Sequence, residues 1–173
     1  AKEVVEIRDR LNLPLVGFDL AGQEEGYPAE DFKEAYDFIH KNFMHKTVHA
    51  GEAYGAESIF QALTDLYADR IGHGYYLFDE DKVKGNDEFT KKYIRNLSSF
   101  LAEKRITIEV CLTSNFQTNP ELKDLKNHTL GKMLAHKVPV TICTDNRLVS
   151  RTTITKEWQL AADNFDLSDK QLK

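Results

Sequence analysis

Five short runs, each holding at least one β-branched residue, recur along this chain, and a stretch of helical period or a polar turn follows each one. Such alternation marks repeated α/β units and directs the chain towards a parallel sheet covered by helices. The runs fall at residues 15–22, 47–50, 70–74, 106–112 and 138–143, and the first, closed by Gly22, reads as a buried strand. Val4, Ile7 and Leu11 give an opening helix that Pro14 stops. Phe32, Ala35, Tyr36, Ile39 and Phe43 form an apolar stripe that predicts one amphipathic helix over 29–43. Further helices are expected over 58–67, 88–103, 129–136 and 155–165, with Ser168 placed to cap another beyond it. The acidic segment 79–87 reads as an exposed loop, and Pro139 stands near the start of the last strand, where it disturbs least.

With 173 residues the chain suits one continuous domain over 1–173, but it falls short of the roughly 200 residues of a complete (β/α)8 barrel. Its 23 basic and 28 acidic side chains leave a net charge of −5, which argues against a nucleic-acid partner held through phosphates. No apolar run approaches the ~18 residues of a membrane span, and the first residues lack the apolar core of a signal peptide. Two cysteines, Cys111 and Cys143, sit in apolar runs and cannot build a disulfide framework. These features predict a soluble, cytoplasmic protein.

Polar and titratable residues gather where the strands end. Asp19 and Gly22 close the first run, His49 and Glu52 the second, His73 the third, Asn115 the fourth, and Asp145 and Asn146 the fifth. The rim at the C-terminal ends of parallel strands is where barrels and open α/β sheets bind ligands. Singly, each residue has an ordinary reading. His49 could be a hydrogen-bonded structural histidine, Glu52 a first-turn carboxylate, and Asp145-Asn146 an Asx-turn. His73 lies between Gly72 and Gly74, which would allow a ligand to approach the backbone closely. His40, His45, His128 and His136 fall on expected helices or turns and receive no role. Five such placements in succession are another matter.

Taken in order, the motifs Gly17-Phe18-Asp19-Leu20-Ala21-Gly22, Val48-His49-Ala50-Gly51-Glu52, Arg70-Ile71-Gly72-His73-Gly74, Leu112-Thr113-Ser114-Asn115 and Thr144-Asp145-Asn146 resemble the adenosine deaminase family. The resemblance runs from about Val4 to about Leu172. It implies an α/β fold, a partial (β/α)8 TIM barrel made of the five C-terminal parallel strands with the first three absent. It also implies a zinc-dependent hydrolase that replaces the 6-amino group of a purine nucleoside by oxygen. In that picture His49 and Asp145 are the two zinc ligands this chain supplies, and zinc lowers the pKa of bound water towards about 7. His73 orients the resulting hydroxide, and Glu52 protonates the purine ring, a task that favours a carboxyl pKa raised by burial. Gly22 offers its N–H to the substrate, Asp19 supports the site from behind, and Asn146 takes a catalytic and substrate-binding position.

The chain departs from the family pattern at two points. Asn146 stands where the family has a second aspartate, and no His-x-His pair occurs to complete the zinc site. The expectation is therefore a C-terminal portion that is inactive alone and self-associates through the open edges of its sheet. Deamination of free adenine or another aminopurine stays open, as does a scaffold that has lost zinc. A nucleotide substrate is disfavoured because no basic cluster stands near the rim.

Overall fold

The structure is a computed structural model and describes residues 1–168 and 171. Helix α1 (Lys2–Leu11) ends at Asn12 in the left-handed conformation, φ 48°, two residues before Pro14. β1 (Gly17–Leu20) follows, then α2 (Lys33–Lys41), which is entered through a 3-10 turn at Ala29–Phe32. β2 (His45–Ala50), α3 (Ala56–Asp65) and β3 (Arg70–His73) lead to the long α4 (Asp87–Lys104). The Asn86 side chain caps α4 by accepting the Phe89 N–H at 2.9 Å, satisfying one of the donors that a helix start leaves free. β4 (Thr107–Val110), α5 (Leu112–Thr118), α6 (Leu130–Ala135) and β5 (Val140–Ile142) come next, before α7 (Arg147–Ser150) and α8 (Ile154–Asn164).

The five strands are all parallel and lie in the order β1-β2-β3-β4-β5. Strand order that follows chain order is the single winding of a barrel wall, with none of the reversal that makes a doubly wound sheet. Alternation along each strand separates two faces. Val48, Ala50, Ile71, Ile108, Val110 and Ile142 point to the helices and form the core with Ile59, Leu66, Leu101 and Met133. The opposite face is polar and corresponds to a barrel lumen. The register places Asp19, Thr47, Arg70 and Thr107 in one lateral row, and His49, Gly72, Glu109 and Thr141 in the row above. Within this face Arg70 and Glu109 pair at 2.5 Å.

Several expected boundaries shift for physical reasons. The first strand is not buried: Leu15 and Val16 lie outside it, 42% and 76% exposed, because β1 stands at the edge of the sheet beside β2. The helix expected over 29–43 stops at Lys41, and Phe43 stands 96% exposed at φ 59° while Met44 turns into the core instead. Leu112 opens a helix and does not end a strand, and the short α7 comes directly after the Asp145-Asn146 turn. His45, expected on a helix or turn, begins β2. The helix expected beyond Ser168 lies outside the described residues. Among the described residues no helix is long and apolar enough to cross a membrane, and Cys111 and Cys143 are both free thiols.

Candidate active site

The site is built from backbone turns before it is built from side chains. Among the described residues, eight other than glycine have positive φ, and six of them close helices, the usual place for this conformation. The other two are His73 at the end of β3, φ 66°, and Asp145 just after β5, φ 54°. A left-handed residue at a strand end is uncommon, and such outliers concentrate at functional sites. Both turns re-aim a titratable side chain at the same rim.

His49 reaches that rim from β2 by lying across its neighbour. Its register partner is Gly72, and a Cβ on Gly72 would come within 2.6 Å of His49 Cδ2. Glycine at 72 therefore makes room for an imidazole, and Gly74 makes room for Ile108, whose side chain lies 2.9 Å from where a Cβ would stand. The close approach expected around His73 is thus to the protein's own side chains. The His49 and His73 rings meet edge to face, with centroids 4.6 Å apart.

Glu52 completes the group. Its Oε2 lies 3.6 Å from His73 Nε2, and its side chain is 22% exposed against 2% for His73. Burial pushes the Glu52 carboxyl above its ordinary range, with Asp145 and Glu24 adding to the rise and His49 opposing it. Burial, with His49 next in effect, pulls the His73 pKa down to about 4, and Asp145 opposes the fall. Near neutral pH the arrangement favours an uncharged imidazole beside a carboxyl that holds its proton more readily than an ordinary glutamate.

Glu24 sets where Glu52 stands, and nothing in the sequence singled it out. Its buried carboxylate accepts the N–H groups of Gly51, Glu52 and Ala53 at 3.0, 2.8 and 2.7 Å, and the Ser58 hydroxyl at 2.8 Å. One side chain from the loop after β1 thus moulds the loop after β2. On the far side Ser114 donates to Asp145 Oδ2 at 2.7 Å, and the buried Glu157 accepts from the Thr113 N–H and the Thr152 hydroxyl at 3.1 and 2.6 Å.

The remaining expected residues occupy distinct places. Gly22 adopts φ 111°, which favours glycine, and the space where its Cβ would point is open. It borders a cavity of about 290 Å³ walled by Leu20, Phe32, His49 and Tyr54. A second cleft of about 260 Å³ adjoins Glu52, Tyr76 and Asn115. Asp19 is exposed on the lumen face of β1. Asn146 is exposed and caps α7, its Oδ1 accepting the N–H groups of Leu148 and Val149 at 3.2 Å each. Its carbonyl oxygen is therefore engaged by backbone.

His128 also joins the site, contrary to its reading as a turn histidine. It is 2% exposed and its Nε2 lies 3.2 Å from Asn115 Oδ1, while Asn115 Nδ2 lies 3.2 Å from His73 Nδ1. Polar neighbours Asn127 and Thr129 concealed this burial in the sequence.

These side chains suit a divalent metal. His49 Nδ1 is buried without a hydrogen-bond partner, an unsatisfied state that native interiors rarely keep. Ligand atoms of His49, Glu52 and His73 all lie within 4.8 Å of one another. Imidazole nitrogen and carboxylate oxygen are the donors zinc takes. Asp145 stands outside that group but acts electrostatically on both Glu52 and His73.

Comparison with known proteins identifies the family. The adenosine deaminase family profile matches residues 1–173. Adenosine deaminase 1 of Streptomyces coelicolor is 37% identical over 172 residues, which is 98% of this chain and 42% of that protein. The chain therefore spans less than half the length of this relative. Among solved structures, the N6-methyl-AMP deaminase of Arabidopsis thaliana superposes with a TM-score of 0.73 at 28% identity, over 98% of this chain and 45% of its own. An amidohydrolase from Burkhoderia ambifaria with bound Zn shares the fold, with a TM-score of 0.80 at 21% identity over 98% of this chain and 44% of its own. A rim assembled from five consecutive strands of a barrel wall, matched by the family profile from end to end, places the chain in the adenosine deaminase family.

Proposed function

We propose that this chain carries the acid-bearing half of a zinc-dependent deaminase that converts adenosine and water to inosine and ammonia. The observation that carries the reading is Glu52, a half-buried carboxyl with a raised pKa, held by the Glu24 clamp against His49 and His73. A carboxyl whose pKa burial raises is suited to protonate N1 of a purine. Protonation draws electron density from the carbon bearing the amino group, water oxygen adds there, and ammonia leaves. His49 and Asp145, together with ligands from outside this chain, would hold zinc, which would supply acidified water.

His73 positions that water through its Nε2, while Gly22 borders the cavity where the base would lie. Asn146 hydrogen-bonds at the same rim through its amide N–H, since its Oδ1 caps α7. Asp19 supports the floor of the site from β1. A nucleoside is favoured over a nucleotide because Arg70, on the lumen face, is committed to Glu109.

The test is ammonia release by the complete barrel, meaning this chain joined to the N-terminal strands that its relatives possess. Adenosine should be deaminated with a higher kcat/KM than adenine or AMP, and a chelator should abolish turnover. A metal-replete protein that releases no ammonia from any of the three would overturn the reading, and one that binds no zinc at all would identify a scaffold.

A further inference from the structure

The hydrogen bonds behind His73 fix where its proton sits. The Leu130 N–H points at His128 Nδ1 at 3.0 Å, so that nitrogen must be an acceptor. A neutral His128 then carries its proton on Nε2 and donates to Asn115 Oδ1, 3.2 Å away. With its oxygen so engaged, Asn115 turns its Nδ2–H2 towards His73 Nδ1, also at 3.2 Å. His73 Nδ1 is an acceptor in its turn, and its proton is left on Nε2, which faces Glu52 Oε2 at 3.6 Å. All three side chains are buried, at 1–2% exposure, and Tyr75 closes edge-on over the His128 ring at 5.1 Å. The backbone N–H at one end orients every member of the chain.

We propose that Asn115 and His128 are positioning residues that lock His73 as the Nε2–H tautomer, making it a hydrogen-bond donor into the site and not a metal ligand. A ring whose Nδ1 accepts from Asn115 and whose Nε2 carries the proton has no lone pair to give a metal. His73 therefore separates from His49 in role although the two rings touch: His49 keeps a buried nitrogen without a partner, and His73 has both nitrogens assigned. The second ring nitrogen of a histidine decides what the first can do. The catalytic consequence rests on the proposed deamination, whereas the tautomer does not.

Two readouts test the two parts separately. In the complete barrel labelled with 15N-histidine, long-range 15N–1H correlation should show His73 and His128 each with the proton on Nε2 and the lone pair on Nδ1, with no substrate present. Asn115→Asp replaces the donor facing His73 by a carboxylate oxygen, so the His73 proton should move to Nδ1. With KM and zinc content little changed, kcat should then fall by roughly 10²-fold or more, the scale of general acid–base assistance. His128→Gln keeps an N–H within reach of Asn115 Oδ1 and should retain most turnover, while His128→Leu frees the Asn115 amide to rotate and should lose it. An unsubstituted protein with the His73 proton on Nδ1 overturns the lock. So does an unaltered kcat in Asn115→Asp, or equal turnover in the two His128 variants. A protein inactive on every aminopurine would sink the functional reading but leave the tautomer measurement standing.

Discussion

Glu52→Gln in the complete barrel should lower kcat by roughly 10²–10⁴-fold, the range that general acid catalysis contributes. The substitution keeps the side chain's length and its place above the Glu24 clamp, because the Gly51, Glu52 and Ala53 N–H groups that Glu24 holds belong to the backbone. It removes only the proton the carboxyl delivers. Burial is the main reason the Glu52 pKa is raised, so an amide, which never ionises, should sit there without structural penalty. Metal analysis must accompany the kinetics, since Glu52 also lies among the three side chains close enough to share an ion. Retained zinc with lost turnover assigns Glu52 as the acid. Lost zinc would make it a ligand, and near-normal turnover would remove it from the chemistry.

What the sequence disclosed about this site follows from how each residue is placed. His49, Glu52, His73 and Asp145 were legible because they stand at or just beyond strand ends, where period and position coincide. The structure brings the first three together and leaves Asp145 within electrostatic reach. The five-strand single winding was legible for the same reason, since each apolar run is short, β-branched and separated by helical period. Glu24 was not legible. It shares its loop with Glu25, and only tertiary structure decides which of two adjacent acids turns inward to meet five donors about thirty residues away. His128 was hidden likewise, because its burial depends on Asn115 of α5 and Tyr75 of the turn after β3, both distant in the chain. Phe43 misled in the opposite direction: helical spacing marks a face only while the helix lasts, and α2 ends two residues earlier.

Glu24→Ala should be the most damaging substitution outside the reacting groups. It strips the Glu52, Ala53 and Tyr54 N–H groups of their acceptor, while the Gly51 N–H keeps Ser58 Oγ and the Ser58 hydroxyl keeps the Gly55 carbonyl, in a position where Glu24 itself is only 8% exposed. At about 1 kcal/mol for each donor left unsatisfied, the three backbone groups alone cost about 3 kcal/mol. Chemical denaturation of the complete barrel should show that loss. Below the unfolding transition kcat should still fall, on the order of 10²-fold, because the loop carrying Glu52 loses the contacts that place it within reach of His73. Unchanged stability together with unchanged kcat would show that the loop holds its shape without the clamp.

The most direct measurement compares the 173-residue chain alone with the same chain supplied with the N-terminal strands of the barrel. Among the described residues β1 pairs only with β2, and β5 only with β4, so both flanks of the sheet carry unpaired backbone donors and acceptors. Exposed Leu15 and Val16 adjoin the first of these edges. Light scattering, zinc analysis and a spectrophotometric deamination assay on both samples would decide. The chain alone should self-associate through an edge, bind zinc weakly and leave adenosine intact, and the completed barrel should hold one zinc and release ammonia. A chain that is alone a monodisperse monomer with stoichiometric zinc and steady turnover would contradict the assignment of half the site to strands outside it.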